Sequence, residues 1–275
     1  MFLLNGESRH CIDASDRGFQ YGDGLFETIA VCNGKPLFWD QHLARLTKGC
    51  QRLSLPLPDP ALFAAEARQL SAGVDRAVLK LIVTRGSGGR GYRQPEPIMP
   101  TRLFSLHPYP DYPDSFHEQG IVARFCRQRL ARNPSLAGIK HLNRLEQVLA
   151  RAEWRDDTVQ EGVMLDYDEH VVEGTMSNLF FVKQGLLHTP SLTNCGIEGI
   201  VRKIVIEFAI RNGLGLAENH FNMQSVLEAD EVFVTNSVIG IWPVKQLDSQ
   251  CFGVGGITRD MQQWYARARN REANL

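Results

Sequence analysis

The sequence predicts an α+β protein of two domains. Strand-like and helical patterns are mixed along 275 residues without strict alternation. The composition, 43% hydrophobic and 22% charged, is that of a globular chain with ample core. Three prolines close together, Pro108, Pro110 and Pro113, break regular structure near the middle. The boundary is placed there, giving a smaller N-terminal α/β domain at 1–110 and a larger C-terminal domain at 111–275.

The elements follow in order. Residues 2–5 read as a strand. Residues 26–31 read as a second, after the bend Tyr21-Gly22-Asp23-Gly24. Helical patterns follow at 42–53 and 61–70, then a strongly apolar strand at 77–84 (AVLKLIVT) and another at 102–106. The second half opens with a strand at 120–125. A helix is predicted at 144–154, where Leu145, Val148, Leu149 and Ala152 recur at helical spacing. Strands are predicted at 162–165, 171–173 and 178–182. A glycine-bounded helix at 200–211 carries Ile200, Val201, Ile204, Val205, Phe208 and Ala209 on one side. A strand at 231–235 and a helix near 258–269 close the chain.

Several function classes are excluded or disfavoured. A net charge of −1 provides no field for nucleic acid or an anionic membrane. No apolar run approaches the ~20 residues of a spanning helix, and the opening Met1-Phe2-Leu3-Leu4-Asn5-Gly6 is interrupted too soon for a signal peptide. The cysteines are scattered without a CxxC pair. That argues against a metal site or disulfides and for reduced cytoplasmic thiols. Gly86-Ser87-Gly88-Gly89-Arg90-Gly91 matches GxGxxG, but Pro95, Pro97 and Pro100 forbid the helix a dinucleotide needs there. A glycine loop carrying Arg90, Tyr92 and Arg93 is the better reading. Its arginines either recognise a carboxylate or decorate an exposed hairpin.

The segment Gly138-Ile139-Lys140-His141-Leu142-Asn143-Arg144 places one lysine just before the predicted helix at 144–154. A lysine fixed there can form a Schiff base with an aldehyde cofactor, although taken alone it is equally a solvated charge. The remaining motifs give it weight. They are Ser15–Thr28 (SDRGFQYGDGLFET), His42-Leu43-Ala44-Arg45-Leu46, Val172–Phe180 (VEGTMSNLF), Gly196–Arg202 and Glu231–Ser237 (EVFVTNS). In this order they resemble the fold-type IV pyridoxal-phosphate enzymes, with branched-chain aminotransferases, D-amino-acid aminotransferases and 4-amino-4-deoxychorismate lyases among them. The likeness covers nearly the whole chain. Lys140-His141-Leu142-Asn143-Arg144, the stretch from Thr84 to Tyr92, and Thr28 in place of a glycine bring it nearer the lyase branch.

The resemblance implies a D-amino-acid-aminotransferase-like architecture with the site in the cleft between two domains, pyridoxal 5'-phosphate as cofactor and no metal. It makes Lys140 the tether and general base, and Glu173 the partner of the pyridine nitrogen. Arg45 becomes a phosphate ligand, joined by the amides of Ile200 and Val201 at a helix start and by donors from Thr235, Asn236 and Ser237. Thr28 would guide protonation of the departing enolpyruvyl group. The implied substrate, 4-amino-4-deoxychorismate, is a dicarboxylate, so cations are expected around it. Lys80, Arg90, Arg93 and Arg144 are the candidates, with Tyr109 as a further contact or a plain linker residue. Lys80 stands in an apolar strand and either faces solvent or serves a site. Arg124, Arg127, Arg129 and Arg132 read as a solvated face. The products would be 4-aminobenzoate and pyruvate. The alternatives are a D-amino-acid or branched-chain aminotransferase and a non-enzymatic binding protein. A homodimer is implied.

Overall fold

The strongly apolar stretch at 77–84 forms a long strand that organises the first half of the chain. In the computed structural model, which describes residues 1–9, 11–57 and 59–274, the chain divides into two units. The first comprises Met1–Pro110, Ile139–Asn143 and the residues from Arg269; the second comprises Asp111–Gly138 and Arg144–Ala268.

The first unit contains, in chain order, β1 (Phe2–Leu4), α1 (Arg17–Tyr21), β2 (Gly24–Cys32), β3 (Lys35–Pro36), α2 (Trp39–Arg52), α3 (Pro60–Ser71), β4 (Arg76–Thr84) and β5 (Thr101–Pro108). Its five-stranded sheet has the order β1-β5-β4-β2-β3, with antiparallel neighbours throughout. Side chains alternate across it. Leu79, Leu81, Val83, Ile29 and Phe104 are buried on one face, which α2 and α3 cover. Phe63 of α3 meets Phe104 with ring centroids 5.9 Å apart. The opposite face carries Phe26, Thr28, Lys80, Ile82 and Leu103, all half-buried. α3 starts at Pro60 because Asp59 accepts from the Ala61 amide at 2.9 Å and proline needs no partner in a first turn.

The lysine segment differs from its expected setting. Residues 139–143 run alongside β2, joined to it by an isolated bridge, rather than forming the approach to a helix. The Phe26 amide donates to the Lys140 carbonyl at 2.9 Å and the Leu142 amide to that of Gly24 at 3.0 Å, around a Leu25–His141 bridge. The free edge of β2 recruits them, and they group with the first unit although the sequence placed them in the C-terminal domain. The GxGxxG loop leads into no helix, as anticipated. Gly86 has φ +82°, and a Cβ there would collide with the Met99 carbonyl. Arg17, itself buried, holds this loop by donating from Nη1 to the carbonyls of Gly91 (3.0 Å) and Arg93 (3.4 Å).

The second unit contains α4 (Asp114–Glu118), β6 (Ile121–Leu130), α5 (Leu145–Arg151), β7 (Glu161–Asp166), β8 (Val171–Gly174), β9 (Asn178–Lys183), β10 (Leu186–Pro190), α6 (Ile200–Arg211), β11 (Leu216–Asn219), α7 (Met223–Leu227), β12 (Glu231–Asn236), β13 (Gly240–Leu247), β14 (Gln250–Cys251) and most of α8 (Gly256–Asn274). Its sheet runs β11-β10-β9-β12-β13-β6-β7-β8, with β14 added to β13. Val163, Leu165, Leu179, Phe181, Val232, Val234 and Trp242 are buried in one core cluster.

The helix expected at 144–154 is shorter, and its apolar stripe faces outward. Leu145, Val148 and Leu149 are 76%, 60% and 56% exposed, and Ala150 is the buried residue. Helical spacing identifies a stripe but not the side on which the rest of the chain lies. The arginine face is an ion-pair ladder. Arg124 and Arg127 share Glu153, Arg129 pairs with Glu169, and Arg132 pairs with Asp168.

Candidate functional site

Each unit gathers a group of the predicted residues. In the first, the Leu25–His141 bridge sets Lys140 opposite Phe26, so both project from the open face of the sheet. The Lys140 ammonium lies 4.2 Å from the Phe26 ring centroid. Thr28 is two residues further along β2 on that face, directly opposite Lys80 of β4. Lys80 reaches back over the same ring at 5.7 Å.

The covered face beneath them holds a buried polar network. Glu27 is 1% exposed and His42 of α2 is 1% exposed. His42 Nδ1 and Glu27 Oε2 are 2.6 Å apart. Arg45, one turn along α2, donates from Nε to Glu27 Oε1 at 2.9 Å and from Nη2 to Oε2 at 2.5 Å. Burial alone would raise the Glu27 carboxyl, but the charge and hydrogen bonds of Arg45, with His42, outweigh it and hold it down at about 2. Burial pulls His42 below its ordinary value. The hydrogen bond and charge of Glu27 oppose that, while the positive charges of Arg45 and Lys140 add to it. Arg45 is therefore no solvated helix charge. Glu27 and His42 were missed in the sequence. Their signal was present: a glutamate in an otherwise apolar strand, and a histidine three residues before Arg45 on one helical face.

The other predicted residues of this unit scatter. Arg90 and Arg93 are exposed on the glycine loop, and the tie from Arg17 uses the Arg93 carbonyl rather than its side chain. Tyr109 stacks under the Arg76 guanidinium, 3.8 Å from its ring centroid.

In the second unit, Glu173 ends β8 and is 3% exposed. Its Oε2 accepts the Ile197 amide at 2.8 Å. Gly196 has φ +87°, and a Cβ there would meet Leu192 at 2.7 Å, Val172 at 2.9 Å and that oxygen at 3.3 Å, which is why glycine precedes the contact. Asn178, absent from the sequence-based candidates, pins the same loop: it donates to the Ile197 carbonyl at 2.8 Å and accepts from the Gly199 amide at 3.0 Å. Gly199 then caps α6 with no side chain. The first-turn amides of Ile200 and Val201 thus form an uncapped helix start, a ready anion site. Thr235 is 1% exposed, and its hydroxyl has no hydrogen-bond partner among the described residues. Asn236 departs from expectation. Its side chain donates to the Met176 carbonyl and accepts from the Val238 and Ile239 amides, so it is consumed in shaping the turn that carries Ser237.

Two further residues bear on this group. Glu161, also missed, is completely buried. It accepts from the hydroxyls of Thr175 (2.5 Å) and Ser177 (2.6 Å) and from the amides of Gly162 (2.8 Å), Thr175 (3.0 Å) and Met176 (3.4 Å). Burial still raises its carboxyl above the ordinary range, against those donors. Arg144 stands at the start of α5. Burial lowers its guanidinium, and the charges of Glu173 and Glu146 oppose that. Burial pushes the Cys195 thiol up to about 12, which disfavours its thiolate.

Comparison with known proteins identifies the family. The amino-transferase class IV family matches residues 24–247. An aminodeoxychorismate lyase of Vibrio harveyi is 35% identical, the alignment covering 95% of this chain and 98% of the relative. A D-alanine aminotransferase of Bacillus licheniformis is 31% identical over 94% of each. The crystal structure of 4-amino-4-deoxychorismate lyase from Pseudomonas aeruginosa superposes with a TM-score of 0.94 and 47% identity, over 97% of this chain and 98% of that one. The chain that presents Lys140 beside Phe26 and an uncapped helix start beside Glu173 belongs to the amino-transferase class IV family.

Proposed function

We propose that this protein is a pyridoxal-phosphate-dependent lyase that converts 4-amino-4-deoxychorismate to 4-aminobenzoate and pyruvate, a step in folate supply. The observation that carries the reading is its likeness, at 35% and 47% identity over nearly the full chain, to two proteins named as that lyase. The residues present fit the cofactor. Lys140 offers an amine on an open sheet face. Glu173 offers a buried carboxylate. The uncapped start of α6 and the unpartnered Thr235 hydroxyl offer phosphate donors, to which Ser237 and Arg45 are added by family likeness.

Pyridoxal phosphate, when bound, supplies a ring that withdraws electrons from the carbon bearing the substrate nitrogen. Everything else falls to the chain. Glu173, fixed by the Ile197 amide, would hold a proton at the ring nitrogen. The Ile200 and Val201 amides and the Thr235 hydroxyl would bind the phosphate. The Lys140 amine removes the proton from the amine-bearing carbon. The Thr28 hydroxyl, on the same face, directs a proton to the methylene carbon of the departing enolpyruvyl group. The carbon–oxygen bond breaks, the ring becomes aromatic, and pyruvate leaves without consumption of water.

The test is to incubate the purified protein with 4-amino-4-deoxychorismate and follow both products. Equal release of pyruvate and 4-aminobenzoate is expected. Amino transfer to a 2-oxo acid without 4-aminobenzoate would overturn the lyase in favour of an aminotransferase. The reading includes a homodimer, which sedimentation tests. It also includes the cytoplasm, supported by six free cysteines.

A further inference from the structure

The open face of the first sheet carries a row of polar groups, of which the proposed chemistry uses only Thr28. Strand register puts Thr28, Lys80 and Ser105 side by side across β2, β4 and β5, with Phe2 of β1 next in line. The neighbouring row is Lys140, Phe26, Ile82 and Leu103. Val78 and His107 flank the other side. Lys80 and Ser105 thus lie among the apolar Phe2, Phe26, Ile82, Leu103 and Val78, with Thr28 and His107 beside them, a few polar groups in a largely apolar lining as in a small-molecule subsite.

Neither residue is explained by packing. Lys80 is half-buried and has no carboxylate partner among the described residues. A lysine so placed is retained at a cost unless something offsets its charge. Ser105 is 4% exposed, and its Oγ lies 2.8 Å from His107 Nε2. In the tautomer with hydrogen on Nε2, Ser105 accepts from His107 and its own hydroxyl hydrogen is directed elsewhere.

The Phe26 ring relates this pair to Lys140. Both ammonium groups lie over it, at 4.2 and 5.7 Å from its centroid. Adjacent strands are about 4.8 Å apart, so the backbones of Lys140 and Lys80, two strands removed, are separated across the sheet by about 10 Å. A flat six-membered ring with an amine at one end and a carboxylate at the other matches that arrangement. Its amine-bearing carbon lies at Lys140, its ring lies along Phe26, and its carboxylate reaches Lys80.

We propose that Lys80 and Ser105 form a subsite for the ring carboxylate of the substrate, the one para to the amine, with His107 positioning the Ser105 hydroxyl. This rests on the lyase reading and assigns one of the two substrate carboxylates to named side chains. The two groups together distinguish a carboxylate from an uncharged isostere. The ammonium contributes charge, and the hydroxyl contributes a directed hydrogen bond.

The test is equilibrium binding of 4-aminobenzoate and 4-aminobenzamide to the cofactor-loaded protein, its Lys80→Met and Ser105→Ala variants, and His107→Ala. Methionine keeps the stem of Lys80 without its charge. The cofactor absorption band and thermal midpoint of each variant report that it is folded and loaded. The wild type is expected to prefer the carboxylate over the amide. Lys80→Met should abolish that preference through a loss of about ten- to a hundred-fold in 4-aminobenzoate affinity, with Ser105→Ala and His107→Ala losing less. In turnover, the Lys80→Met loss should appear mainly in KM. Unchanged preference in Lys80→Met overturns the subsite, and pyruvate release by that same wild type leaves the lyase reading intact. Absence of pyruvate release from a wild type whose carboxylate preference depends on Lys80 overturns the lyase reading and leaves Lys80 a carboxylate subsite for a different substrate.

Discussion

Lys140 and Glu161 illustrate two ways in which a single residue can act, one through its own chemistry and one through the structure it holds. Lys140 offers its amine on an open face. In the proposed function that amine bonds the cofactor reversibly, so borohydride should fix the cofactor to the wild-type chain and not to Lys140→Ala. Intact-mass measurement reads the added mass. An adduct of equal yield in Lys140→Ala would remove the assignment. Glu161 acts at one remove. Its carboxylate gathers five donors and shapes the turn between Glu173 and Asn178. Glu161→Ala would leave buried hydroxyls and amides unpaired and should cost roughly 2–4 kcal/mol in urea unfolding. Glu161→Gln, which keeps an acceptor oxygen, should recover part of it. A change below about 0.5 kcal/mol for the alanine variant would show that the turn holds without it. Motif order pointed to Lys140 and Glu173 because each stands in a patterned stretch. Glu161 stands alone in an apolar segment, and its partners 14 to 16 residues downstream appear only when the strands pair.

Elements were legible where a local rule decides them and obscure where a distant partner does. The nearly continuous apolar run AVLKLIVT predicts β4 and makes its single charge, Lys80, stand out. The start of α3 is announced by Asp59-Pro60. The edge formed by residues 139–143 could not be read locally, because its partners are Gly24 and Phe26, more than a hundred positions away. The start of α8 is similar. Two carboxylate contacts from Glu231 in β12, to the amides of Ile257 (3.3 Å) and Thr258 (2.7 Å), replace a local cap. A carboxylate at a helix N-terminus satisfies orphan amides and the helix dipole together. Glu231→Ala should therefore lower stability by about 1–2 kcal/mol in urea unfolding. Hydrogen exchange should quicken first at Ile257 and Thr258. Unchanged exchange at those two amides would mean that water substitutes for the carboxylate at no cost.

At the scale of the whole molecule, strand order was the least legible feature. The second sheet mixes parallel pairs, such as β6 with β7 and with β13, with antiparallel ones, and no short-range pattern fixes such an order. The buried polar groups of the two units set how stability responds to acid. His42 has a folded value below 6.5, so the unfolded chain binds its proton first. The stability it contributes is complete above about pH 6.5 and declines as pH falls below that. Glu27, ordinarily at 4.5 and held at about 2, contributes stability above pH 4.5 that is lost as pH falls toward 2. Glu161 acts oppositely. Its value is raised above 4.5, so the folded protein takes up its proton first, and its contribution is present below that pH and is lost as pH rises through the raised value. Just above pH 4.5, then, Glu161 offsets part of the loss from His42; below it, Glu27 dominates and the decline should steepen. Thermal midpoints from pH 7.5 to 3 should trace this two-stage fall in the wild type. In His42→Gln the upper stage should shrink by at least about 3 °C, and in Glu27→Gln the lower stage should flatten while the midpoint at neutral pH drops, because Arg45 loses its buried counter-charge. A Glu27→Gln profile parallel to the wild type across pH 4.5 to 3 would place the acid sensitivity in other carboxylates.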